Sequence, residues 1–92
     1  IFSSAGAKVT ASFAPVKNSG WHLMGTARMG ENQNTSVVNK YGQSHQVKNL
    51  FIVDSSVFVT SGAVNPVATA QAITLFACNY IRENASSISN SS

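Results

Sequence analysis

Residues 49 to 82 read NLFIVDSSVFVTSGAVNPVATAQAITLFACNYIR, and this stretch decides the fold. Its first part, Leu50-Phe51-Ile52-Val53, is four consecutive apolar residues, a pattern that suits a strand covered on both faces, as in a parallel sheet. Asp54 falls at the carboxyl end of that strand, where ligands collect in such sheets. The small residues Ser55, Ser56, Thr60, Ser61 and Gly62 follow as a loop that permits close approach. Asn65 and Pro66 then open a helix. Asparagine is a favoured N-cap, and proline suits the first helical position because its missing N–H would be unpaired there anyway. From Val67 to Ile81 the polar exceptions Thr69, Gln71, Thr74 and Asn79 form no continuous face, so a buried helix is expected. Its N-terminus carries free N–H groups and a partial positive charge that suit a negative ligand group.

Composition narrows the class. Only 10% of the 92 residues are charged, against about 25% in an ordinary globular chain, while 43% are hydrophobic. So little charge on so short a chain implies that much of its surface is covered by something else. A chain that opens on Ile1 rather than methionine is likewise expected to be part of a longer protein. The net charge of +3 comes from scattered residues, Lys8, Lys17, Arg28, Lys40, Lys48 and Arg82. They form no cluster that would track a phosphate backbone, which argues against nucleic acid as a partner. The single cysteine, Cys78, permits no internal disulfide. The apolar helix is shorter than the ~20 residues of a bilayer span. Bacterial cytoplasm, periplasm and membrane association all stay open as locations. Three Asn-x-Ser patterns start at Asn34, Asn84 and Asn90, in sequence rich enough in Asn and Ser to produce them by chance.

Upstream, Lys8 to Phe13 alternates with Val9, Ala11 and Phe13 on one face, the pattern of a half-buried strand, and Asn18-Ser19-Gly20 signals a turn. The run Trp21-His22-Leu23-Met24-Gly25-Thr26-Ala27-Arg28-Met29-Gly30 fits neither helix nor strand. Its glycines allow positive φ or close backbone approach. A histidine among apolar residues is either a hydrogen-bonded core group or, in a ligand pocket, a base near neutral pH. Ser36-Val37-Val38 is short and strand-like. His45 sits in polar sequence and reads as a loop histidine. The Ser- and Asn-rich stretch 83–92 has little to bury and reads as a mobile tail.

Four motifs in order carry a family resemblance: His22 to Gly30, Ser36 to Val38, Asn49 to Phe58, and Asn65-Pro66 opening a helix. Over Trp21 to Ile81 the chain resembles the C-terminal part of glucose–methanol–choline (GMC) oxidoreductases, nearest to bacterial gluconate- and fructose-dehydrogenase-like enzymes. The fold class that follows is α/β (α+β as an isolated fragment): the C-terminal segment of a two-domain FAD-binding fold, with a buried strand followed by a long buried helix. Residues 1–48 would serve the substrate domain and the active-site histidine loop, 49–82 would complete the FAD domain, and 83–92 would be the tail.

The resemblance implies an FAD enzyme that oxidises a CH–OH group of a sugar, polyol or related alcohol by proton abstraction and hydride transfer. On the matching positions His22 would be the catalytic base and Asn65 its partner at the substrate oxygen. Asp54, Ser55, Asn65, Pro66, Val67 and Ala68 would line the flavin. The helix start would stabilise negative charge gathering on the flavin's pyrimidine edge, as an oxyanion hole does. The family's G-x-G-x-x-G fingerprint does not occur in these residues. The implied partners are therefore an N-terminal FAD-binding part of the same protein and an electron-acceptor subunit or quinone. A non-catalytic structural or interaction module is the alternative. A hydrolase built on His22, Asp54 and a nearby serine lacks the G-x-S-x-G elbow, and His22, His45, Asp54 and Cys78 lack metal-ligand spacing, so no metal is expected.

Overall fold

The computed structural model describes residues 1–12 and 20–90. Within them the regular elements are a 3₁₀ turn at Ser55–Val57, helix α1 at Val67–Glu83 and helix α2 at Ala85–Ser89. The remainder is organised by short backbone pairings. Met29 bridges Val38 in parallel, Val38 bridges Ser44 antiparallel, and Gln43 bridges Phe51 antiparallel.

The Leu50–Val53 segment is where the expectation of a buried strand is corrected. Among the described residues it makes a single bridge, with Ile52 N–H donating to Gly42 O at 2.8 Å and Ser44 N–H to Leu50 O at 2.9 Å. Phe51 and Ile52 are half-buried, while Leu50 and Val53 are exposed. A strand covered on both faces needs neighbours on both edges and a layer on each side. This chain offers the short stretch Gly42–Ser44 on one edge and α1 on one face. Gly42 makes that pairing possible. Its φ is +73° and a Cβ there would sit 2.4 Å from Ile52 O, so only glycine fits.

Helix α1 starts one residue later than the sequence suggests. Pro66 occupies the N-cap position, no side chain caps the helix, and Asn65 stands exposed outside it. Nor is the helix buried. Ala77 is its one buried residue, and Leu75 is 68% exposed. One flank nevertheless packs. Tyr41 stacks on Tyr80, with ring centroids 3.8 Å apart, and on Phe76 at 5.3 Å. Phe76 and Tyr80 are four residues apart and so share a face. The Thr74 hydroxyl lies 2.8 Å from both Val53 O and Ala70 O, tying α1 to the end of the Leu50–Val53 segment.

The core is small. Val38, Val57 and Phe58 are buried, with Met24, Met29, Ile52, Ala70 and Ile73 packed around them. The alternating stretch Lys8 to Phe13 is not a strand over its described part: Lys8–Ser12 is exposed and unpaired in any sheet. Its last residue, Phe13, and Asn18 and Ser19 of the turn lie outside the described residues, as do Ser91 and Ser92. The stretch read as a tail carries α2. Asn84 turns the chain there, with its backbone and side-chain N–H groups donating to Tyr80 O at 3.0 and 2.9 Å. Composition alone gives no sign of that turn.

Candidate active site

The run that follows His22 is laid against the 3₁₀ turn. Gly25 N–H donates to Ser55 O at 3.3 Å, Ala27 N–H to Ser56 O at 2.9 Å, and Met29 N–H to Val57 O at 2.9 Å. The Ser55 hydroxyl donates to Leu23 O at 2.8 Å, which brings the residue beside His22 onto the end of the Leu50–Val53 segment. Gly25 turns the chain there in the left-handed region, at φ +88°, against Phe58 O. His22 and its neighbours Trp21 and Leu23 are exposed.

Asp54 caps the 3₁₀ turn. Its Oδ1 accepts from Ser56 N–H at 2.8 Å and from the Ser56 hydroxyl. These two bonds, the hydroxyl's first, hold its carboxyl below the usual aspartate value against a smaller opposing effect of desolvation. Among the described residues its Oδ2 accepts nothing from the protein, so one carboxylate oxygen is open to a ligand donor.

Across from Asp54 stands the start of α1. Ala70 N–H is the first to find a helical partner, Pro66 O at 2.9 Å. The N–H groups of Val67, Ala68 and Thr69 therefore have no intrahelical acceptor. Val67 and Ala68 are exposed and Pro66 is buried. An open groove of about 630 Å³ runs between the two elements, with Val53, Asp54 and Ser55 on one side and Val67, Gln71 and Leu75 on the other. A smaller hollow of about 240 Å³ adjoins Asn65, Pro66, Thr69 and Phe58.

Of the residues singled out from sequence, Asp54, Ser55 and Val67 thus line one groove, Asn65 and Pro66 the next hollow, and His22 hangs from a segment fastened to Ser55. No hydrogen bond joins His22 to Asn65 among the described residues. Gln71 and Thr74 were not singled out, yet both line the larger groove. The helical spacing of 67, 71 and 74 puts them on one face and could have found them. His45 lies in a loop, as its polar surroundings suggest. It is half-buried, with Nε2 2.9 Å from Ser36 Oγ and 3.1 Å from Gly30 O. Among the described residues no group of three or more His, Cys, Asp or Glu side chains could hold a metal ion, and no helix is long and apolar enough to cross a membrane.

Asp54, the small-residue turn and the start of α1 thus meet at one groove, with the histidine run fastened to Ser55 beside it. The C-terminal family model described as GMC oxidoreductase matches residues 4–74, and the chain belongs to that family. It is 52% identical over 69 residues to 2-methyl-1,2-propanediol dehydrogenase of Mycolicibacterium austroafricanum, an alignment covering 75% of this chain and 12% of that protein. A long-chain-alcohol oxidase of Arabidopsis thaliana is 44% identical over 52 residues, 56% of this chain and 7% of the relative. The gluconate 2-dehydrogenase flavoprotein of Pantoea cypripedii is 40% identical over 62 residues, 67% and 10% respectively. The chain thus spans about a tenth of the length of these relatives. No solved structure matches it.

Proposed function

We propose that these residues form the C-terminal part of an FAD-dependent dehydrogenase or oxidase acting on the CH–OH group of a sugar, polyol or related alcohol. The carrying observation is the groove between Asp54-Ser55 and the start of α1, with the His22 run fastened to its rim through Ser55 and Leu23. The relatives named for a diol, a long-chain alcohol and gluconate have an alcohol group in common, which supports that substrate class.

The residues present suit FAD. Asp54 offers a free carboxylate oxygen to hydroxyl donors. Val67 and Ala68 offer backbone N–H groups at the positive end of a helix dipole. Ser55 and Pro66 are compact enough for close approach, and Val53, Val67 and Leu75 supply apolar wall. Bound there, FAD supplies the two-electron acceptor. His22 would take the alcohol's hydroxyl proton as the carbon gives up its hydrogen with the bonding electrons to that acceptor. Asn65 hydrogen-bonds the same oxygen through its amide without competing for the proton. The first turn of α1 presents its unpaired N–H groups to developing negative charge.

In the whole protein residues 1–48 would contribute to the substrate domain and carry the histidine run. Residues 49–82 would supply the last strand and helix of the FAD domain. An N-terminal FAD-binding part of the same protein is the necessary partner, and an acceptor subunit or quinone takes the electrons onward. The test is to purify the intact protein and mix it anaerobically with a polyol, a sugar acid and a primary alcohol. The proposal expects a flavin absorption band that bleaches with at least one of them. Protein without flavin, or a band that none of them bleaches, argues for a non-catalytic module.

A further inference from the structure

We propose that Gln71 is a further cofactor-binding residue, whose side-chain amide holds the hydroxyl-bearing chain of the flavin across the groove from Asp54; this rests on the groove being the FAD site. The two residues flank one fastening point. The Thr74 hydroxyl lies 2.8 Å from Val53 O and ties α1 to the end of the Leu50–Val53 segment. Asp54 is the next residue after Val53, and Gln71 stands one helical turn before Thr74, so both border the groove beside that tie. One short chain can therefore meet both.

Most polar side chains of the groove are already committed. The Ser55 hydroxyl gives its proton to Leu23 O, and the Thr74 hydroxyl shares its one proton between Val53 O and Ala70 O. Asp54 Oδ1 is taken by Ser56, and Oδ2 can only accept. Gln71 makes no hydrogen bond among the described residues, so its amide keeps two donors and an acceptor open. Among those residues it is the one side chain of the groove with a free donor. It stands between Val67 and Leu75, one turn away on either side and 58% and 68% exposed. An occupant that covers this apolar stripe covers the amide too, and a covered amide without a partner is costly. The occupant must therefore donate to Asp54 and pair with Gln71 at the same time.

A hydroxyl does both, because it donates one hydrogen bond and accepts others. FAD carries such groups in the ribityl chain attached to its ring. Its phosphates can only accept, their charge opposes the Asp54 carboxylate, and no Lys or Arg lines this groove among the described residues. The phosphates therefore do not belong at this end. Val67, whose N–H is unpaired at the helix start, precedes Gln71 by about 6 Å of helix rise. With the pyrimidine edge of the ring at that start, the chain next to the ring falls between Gln71 and Asp54.

The test uses the intact protein, stripped of flavin and titrated with FAD while flavin fluorescence is followed. Gln71→Met keeps the length and helix preference of the side chain and removes its amide. It is expected to weaken FAD binding about tenfold, the cost of leaving one covered polar group unpaired. The flavin-free variant should melt as flavin-free wild type does. Both proteins are then titrated with an FAD analogue whose ribityl chain carries no hydroxyls. The difference between them should shrink to within about twofold, because the groups that Gln71 acts on are gone. Equal FAD affinity of variant and wild type would overturn the Gln71 role alone. So would a difference that persists undiminished with the analogue, or a flavin-free variant that melts well below wild type. A wild-type protein that takes up no FAD would overturn the flavin reading, and the Gln71 role with it.

Discussion

Asp54 shows how a single residue couples local structure to the site. The Ser56 hydroxyl and N–H both favour its ionised form, so its folded pKa lies below the ordinary value of 3.8. A lowered carboxyl contributes stability that is present above its unfolded pKa and lost as pH falls through the folded one. Ser56→Ala removes the larger of the two bonds and should raise the Asp54 pKa towards 3.8. In melts of the intact protein the variant is expected to be less stable than wild type at neutral pH, with the carboxyl-linked gap closing as pH falls through the lowered Asp54 pKa. A gap independent of pH would assign the loss to something other than Asp54. The sequence places Asp54 at the segment end, because an acidic residue stops an apolar run there. Asp54's partner Ser56 stands only two residues on, a local cap, whereas nothing in the sequence signals that His45 is half-buried, since that depends on chain segments meeting in space. His45 pairs with residues nine and fifteen positions away, beyond any local pattern.

Helix α1 was legible because an Asn-Pro start followed by a run of mostly apolar and small residues from Val67 to Ile81 leaves few alternatives. Its burial was not, because periodicity reports which faces are apolar and not what covers them. The same limit explains Leu50–Val53, whose four apolar residues read as a covered strand but find one short neighbour here. Thr74 is the residue that binds these two elements, its hydroxyl between Val53 O and Ala70 O. Thr74→Val keeps the shape and removes the donor, and should destabilise the intact protein by about 1 kcal/mol, the usual net value of one hydrogen bond. Thr74→Ser keeps the donor and should lose less. Denaturant midpoints compare them. A Val variant as stable as the Ser variant would mean that the hydroxyl does not tie helix to segment.

Among the described residues more large apolar side chains are exposed than buried. Val67, Leu75 and Phe76 on α1 and Trp21 and Leu23 beside His22 are each more than half exposed, while Val38, Val57, Phe58 and Ala77 are the buried apolar residues among those described. Exposed apolar surface on this scale marks a face made for contact. Residues 1–92 produced alone should therefore aggregate or melt without cooperativity, which calorimetry and light scattering would show; a soluble monomer with a sharp transition would contradict this. The central claim, that these residues deliver a base to an alcohol beside a flavin, is tested most directly at His22. In the intact protein His22→Ala should keep bound FAD and its melting temperature. Its flavin should be reduced by alcohol about 10²–10⁴ times more slowly in anaerobic single turnover, the usual cost of losing a general base, with part of the rate recovered at higher pH. Flavin reduction at the wild-type rate would contradict the account and leave His22 a histidine with no part in the chemistry.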